Sequence, residues 1–145
     1  MKLSTRSRYG FRAALELAIE FGNAPLQIKT MAEREGISNK YLEQIIAILK
    51  STGLVSSLRG PRGGYILSKH PKDITLREIF SVLEGPLITV ECVDHPEYCP
   101  RCSDCVTRKV WSEMQDAMLN VLESKTLQDL VDDLKKGQKT ANYQI

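Results

Sequence analysis

A chain of 145 residues with 42% hydrophobic side chains can bury about 68–70% of its unfolded surface, so it needs no disulfide to hold a core. It has no run near the roughly 20 consecutive apolar residues that span a bilayer, and its opening ten residues lack the apolar stretch of a secretory signal; the expectation is a cytoplasmic protein without a membrane partner. The net charge of +2 is uneven: 11 Lys/Arg stand against 5 Asp/Glu through Lys69, and 9 against 13 from His70 onward, a basic half joined to an acidic one, the balance expected of a nucleic-acid face with a separate module.

In chain order, Ser4 or Thr5 can cap a first helix whose small and apolar face is Phe11, Leu15, Ala18, Ile19 and Gly22; Gly22, Asn23 and Pro25 end it. Ile28, Met31 and Ala32 mark a short helix to about Glu35, and Gly36 supplies a tight turn. Ser38 can then cap a helix buried through Leu42, Ile45, Ile46 and Leu49, with Ile37 and Leu42 placed for a hydrophobic staple. Two short helices around a glycine turn form the helix-turn-helix pattern. Leu54–Leu58 and Gly64–Leu67 read as strands joined by the turn RGPRGG. A helix from Thr75 to Leu83 follows, then a loop over about residues 88–105. A long helix to about Glu123 repeats Val110, Met114, Ala117 and Val121 at the spacing of a helix–helix seam, widened by Trp111, Met118 and Leu122. Thr126 can cap a last helix holding Leu127, Leu130, Val131 and Leu134. The fold class is mainly α with a small β-hairpin wing: a winged helix-turn-helix plus a long C-terminal dimerisation helix. Residues 1–84 are the DNA-binding domain, 85–105 a cysteine-rich loop, 106–134 the dimerisation and terminal helices, and 135–145 a disordered polar tail.

A recognition helix reads base edges in the major groove from its N-terminal residues, and here that end offers Ser38, Asn39, Lys40, Tyr41, Glu43 and Gln44. Asn and Gln suit adenine, Glu accepts from cytosine, and Lys reaches guanine or phosphate. Arg59 and Arg62, on a slim turn with Pro61 and Gly63, suit the negative potential of a narrow minor groove. Lys2, Arg6, Arg8 and Arg12 can add phosphate contacts. Helix pair and arginine turn in sequence, on the basic half of the chain, point to double-stranded DNA.

All four cysteines fall within residues 92–105. Clustered cysteines in a cytosolic chain point to metal or redox chemistry rather than a disulfide framework. Three readings stand at this level: an iron–sulfur cluster, since thiolates are its favoured ligands; a closed zinc site, which the Cys99-x-x-Cys102 and Cys102-x-x-Cys105 steps also suit; and a disulfide switch.

The chain resembles the small bacterial winged-helix regulators that include IscR, NsrR, RirA and CymR. The resemblance is carried by Ser4–Tyr9, by Ile37-Ser38 followed by Tyr41-Leu42-Glu43-Gln44, by Gly53-Leu54-Val55, by Arg59-Gly60-Pro61 with Gly63-Gly64-Tyr65, and by Ile74-Thr75, and it spans the chain to about Leu134. It implies a homodimer held by the long helix, two wings on a palindromic site, and Tyr41, Gln44 and Arg59 at the DNA. It also implies an iron–sulfur cluster, 2Fe–2S or 4Fe–4S, on Cys92, Cys99 and Cys105, and Cys102 lies outside that pattern; zinc stays the alternative that the ligand chemistry allows. Relatives add a histidine shortly after the third cysteine or a carboxylate near the partner's N-terminus. Val106–Arg108 holds no histidine and the first fifteen residues hold no Asp or Glu, so Cys102, His95, Asp94, Glu97 or Asp104 is left to complete the set.

Rival functions fit less of the chain. An enzyme would need a phosphate loop, a nucleophile elbow or paired carboxylates, none of which is present, and a thiol redox enzyme lacks its βαβ context. Control by a partner protein, which the resemblance associates with the cysteine-metabolism regulator, leaves the cysteine loop without a role. A plain helical interaction module leaves the arginine turn without one.

Overall fold

The computed structural model describes residues 1–143. Ser4 begins α1 (Thr5–Ile19) by accepting a hydrogen bond from the Ser7 amide at 3.0 Å. α2 (Ile28–Glu35) ends at Gly36, whose φ of 66° is the left-handed conformation glycine adopts without strain. Ser38 then caps α3 (Asn39–Ser51) through its hydroxyl on the Tyr41 amide at 3.1 Å. Leu42 is fully buried and Ile37 packs on the same core, as the staple requires.

The hairpin pairs β1 (Val55–Leu58) with β2 (Gly64–Leu67) antiparallel, Val55 opposite Leu67 and Leu58 opposite Gly64. Its outer edge is closed by a single bridge from Leu26 to Tyr65, the Leu26 amide donating at 3.0 Å and the Tyr65 amide returning at 2.9 Å. That crossing demands Gly64, since a Cβ there would stand 2.7 Å from the Leu26 carbonyl oxygen and φ is +152°. Gly63 is buried beneath the turn, with the Leu58 carbonyl where a side chain would begin.

Thr75 and Glu78 form a capping box on α4 (Leu76–Glu84). The stretch from 88 to 105, expected to be a loop, contains a short helix α5 (Glu91–Asp94) and a 3-10 turn (Pro96–Tyr98). Both are too short for side-chain periodicity to announce. α6 (Val106–Ser124) is followed directly by α7 (Leu127–Tyr143), capped by Thr126 and Asp129 in reciprocal bonds of 2.8 and 3.3 Å.

α7 departs from expectation in two respects. It continues to Tyr143 where an unstructured tail from 135 was expected; the Lys, Gln and Ala of that segment are adequate helix formers, and no proline stops them. Residues 144 and 145 lie outside the described residues. Moreover, α7 returns to the DNA-binding half: Leu127 and Val131 join the core cluster with Leu17, Met31, Ile45 and Ile79. The Leu76 amide bonds the Lys125 carbonyl at 2.9 Å and the Leu127 amide bonds Ile74 at 3.0 Å, stapling the starts of α4 and α7 together. No helix of the described residues is long and apolar enough to cross a membrane.

Candidate nucleic-acid interface and cysteine loop

α3 is divided by its own periodicity. Leu42, Ile45, Ile46 and Leu49 are buried, and Asn39, Lys40, Glu43 and Gln44 are exposed. Ala47 and Lys50 extend the exposed stripe by a turn beyond the sequence expectation; the 3.6-residue period would have included them. The Ser38 hydroxyl is engaged as the cap. Tyr41 is half-buried, its ring edge-on to Tyr9 of α1 at 6.1 Å, so part of that side chain packs on the core and part remains accessible.

At the hairpin tip Arg59, Pro61 and Arg62 are exposed beside an exposed Leu58. Gly63, expected at the interface, is instead buried and shapes the turn. Among the described residues no ion pair engages Lys40, Arg59 or Arg62. The basic residues of α1 and α2 are more committed. Arg34 bridges Glu16 at 2.7 Å and Glu20 at 3.5 Å, and the Glu16 hydrogen bond is the first cause holding its pKa above the ordinary range. Arg12 pairs with Glu35 and lies over the Tyr9 ring. Arg6 donates through Nε to the Leu83 carbonyl at 2.9 Å, and Arg8 lines a groove against α6. Arg6 and Arg12 thus share their guanidinium groups with the protein's own framework, while Lys2, Arg6, Arg8 and Arg12 all remain exposed.

The four cysteine thiols are free and half-buried. Cys102 Sγ lies 3.8 Å from the Cys92 carbonyl oxygen. Burial raises the Cys102 pKa, and the neighbouring Cys92 and Cys99 add to that. Cys105, at the N-cap of α6, has its pKa lowered, first by a hydrogen bond with the Thr107 hydroxyl at 3.2 Å and then by the Arg108 amide. Four thiols in one short segment are the donor set an iron–sulfur cluster takes. In this conformation no three Cys, His, Asp or Glu side chains of the described residues are gathered as a ready metal site.

Polar side chains from α6 hold this segment, and sequence patterning gave no sign of them. Arg108 donates to the Cys92 carbonyl at 2.8 Å and to Val93 at 3.2 Å. Gln115, only 6% exposed, accepts from the Thr89 amide at 3.0 Å and the Thr89 hydroxyl at 3.2 Å, and donates to Asp94 Oδ1 at 2.9 Å. The face of α6 bearing Val106, Val110, Met114, Ala117 and Val121 is exposed. It is continuous with an apolar groove of about 630 Å³ lined by Leu3, Phe11, Phe80, Leu87, Met118 and Leu122.

Residues 3–133 match the family model described as Rrf2, iron-dependent transcriptional regulator. The chain is 41% identical over 141 residues to protein rrf2 of Nitratidesulfovibrio vulgaris Hildenborough, covering 97% of this chain and 94% of the relative. It is 41% identical over 130 residues to the HTH-type transcriptional regulator CymR of Bacillus subtilis, covering 90% and 89%. Among solved structures, IscR of T. potens superimposes with a TM-score of 0.78 at 40% identity, covering 95% of this chain and 91% of that one. The family model and the CymR relative are described as transcriptional regulators and not as enzymes, and the IscR structure shares the winged-helix fold seen here. The chain belongs to the Rrf2 family of DNA-binding transcriptional regulators.

Proposed function

We propose that the protein acts in the cytoplasm as a homodimer on a palindromic operator, and that an iron–sulfur cluster in the cysteine loop sets its affinity for DNA. The recognition residues are Asn39, Lys40, Glu43 and Gln44 in the major groove, with Arg59 and Arg62 at the minor groove. The unpartnered apolar face of α6 supports the dimer, since a face of this length is costly to leave in water and its 4-3-4 spacing suits a second copy of the helix.

The observation that carries the switch is the polar bridge between loop and helix. Cys92, Cys99 and Cys105 would hold the cluster, which brings metal-centred redox and ligand chemistry to the loop. Arg108 and Gln115 tie the Cys92–Asp94 segment to the helix with the dimer face. A rearrangement of the loop therefore bears on the tilt of α6 and on the spacing of two α3 helices, the kind of packed two-state element that couples distant sites. The test is anaerobic purification followed by visible absorption and iron and sulfide analysis. A brown protein with both elements supports the reading; a colourless protein with tightly bound zinc overturns it.

One observation favours a second reading, a thiol switch on the same DNA-binding frame. Cys102 and Cys105 are free, half-buried thiols three residues apart, and the hydrogen bond with the Thr107 hydroxyl lowers the Cys105 pKa, which favours its thiolate. Oxidant-dependent loss of DNA binding in the metal-free protein, abolished by Cys105→Ser, would support that reading instead.

A further inference from the structure

We infer that Cys102 is the fourth protein ligand of the cysteine loop, so that Cys92, Cys99, Cys102 and Cys105 hold a four-iron cluster through thiolates alone. The inference rests on reading the loop as an iron–sulfur site and goes beyond the three-cysteine set that the resemblance implies. Cys99, Cys102 and Cys105 form a C-x-x-C-x-x-C run, the spacing with which bacterial ferredoxins bind cubane clusters. A run of this kind leaves one corner for a cysteine from elsewhere in the chain. Cys92 is the cysteine the loop offers for it: Cys102 Sγ sits 3.8 Å from the Cys92 carbonyl oxygen, so the middle residue of the run packs on the Cys92 backbone, and the four thiols, not gathered in this conformation, converge as the cluster binds.

The competing ligands are largely occupied. Arg108, in the stretch after the third cysteine that holds no histidine here, is a cation and donates hydrogen bonds to the Cys92 and Val93 carbonyls. His95 stacks on Tyr98 at 5.0 Å and meets Glu97 through Nδ1 at 3.1 Å. Asp94 receives the Gln115 amide. Asp104 and Glu91 are exposed, with no side-chain hydrogen bond among the described residues, and are the loop carboxylates left to compete. Four thiolates leave the loaded site with net negative charge, and Arg108 is positioned to offset it from the loop's inner side.

Loading from a preformed synthetic four-iron tetrathiolate cluster makes the assignment testable without a redox step. Each cysteine thiol replaces one small thiolate, which leaves with the cysteine's proton, and no electron moves. The full-length wild-type protein, loaded anaerobically in this way, is expected to keep about four iron and four sulfide per chain through gel filtration. Cys102→Ala is expected to keep less than about a tenth of that iron, or to show a three-iron EPR signal, while Asp104→Ala keeps the full complement. Circular dichroism and binding of the metal-free variants to DNA establish that both remain folded. Full iron content and an unchanged EPR spectrum in Cys102→Ala would overturn the ligand assignment and leave the proposed cluster switch standing. So would loss of the cluster in Asp104→Ala, or a wild-type protein that retains only two iron per chain. A wild-type protein that retains no iron overturns both.

Discussion

Gln115→Leu is the perturbation most informative about the link between loop and helix. The change keeps the side chain's bulk and removes three hydrogen bonds, two from Thr89 and one to the Asp94 carboxylate. A neutral hydrogen bond contributes about 1 kcal/mol and one to a charged group about 1.5–3 kcal/mol. The two Thr89 bonds share one acceptor and the site is only partly buried, so a total of about 2 kcal/mol is reasonable. That corresponds to roughly a 30-fold rise in the local opening equilibrium of the loop, since about 1.4 kcal/mol is a factor of ten. Amide hydrogen exchange measures it directly. The Thr89 and Val93–His95 amides should exchange about 30-fold faster in the metal-free variant, with α3 unchanged. Exchange within threefold of wild type at those amides would refute the idea that Gln115 holds the loop. Equal acceleration in α3 would mean the change had merely loosened the whole domain.

Met114 is 48% exposed on the apolar face of α6. Met114→Lys removes two copies of a contact worth about 1 kcal/mol each and sets two like charges across the seam, so the dimer should weaken by at least about 30-fold in sedimentation velocity; an unchanged dimer would assign the interface elsewhere. Arg59→Ala and Arg62→Ala should each weaken operator binding about tenfold and lower the slope of log affinity against log salt by about 0.9 if they contact phosphate, measured by fluorescence anisotropy at several salt concentrations. Glu84 accepts from Ser4 and Ser7 and is held below its ordinary pKa of 4.5, first by the Ser4 hydroxyl. Its contribution is therefore present above pH 4.5 and is lost as pH falls through the lower folded-state value. Glu84→Gln should lower Tm by about 2–4 °C at neutral pH, and the gap should close in acid; a gap independent of pH would contradict the assignment.

The elements that sequence alone made legible are those governed by local chemistry. Ser38, Gly36 and the Leu42–Leu49 stripe announced α3 because a cap, a left-handed turn and a 3.6-residue period are short-range signals. RGPRGG announced the hairpin for the same reason, although burial of Gly63 followed from packing against Leu58 and not from turn chemistry. The features that escaped notice depend on distant partners. Glu84 meets Ser4 across 80 positions, and Leu26 meets Tyr65 across the base of the wing. Gln115 is a polar residue beside an apolar seam, and only the folded loop reveals what it satisfies. Leu127 and Val131 carried an amphipathic pattern, but nothing in that pattern specified the DNA-binding half as their destination.

The central claim is that the state of the cysteine loop governs DNA affinity. The most direct test is fluorescence anisotropy of metal-free and cluster-loaded protein on one operator duplex, recovered by selection from random sequence, under anaerobic conditions and at matched salt. The account predicts affinities that differ by at least about fivefold, within the 1–3 kcal/mol span typical of coupled sites, and a difference that disappears when the loop is uncoupled by Gln115→Leu. Equal affinity of the two wild-type forms would contradict it.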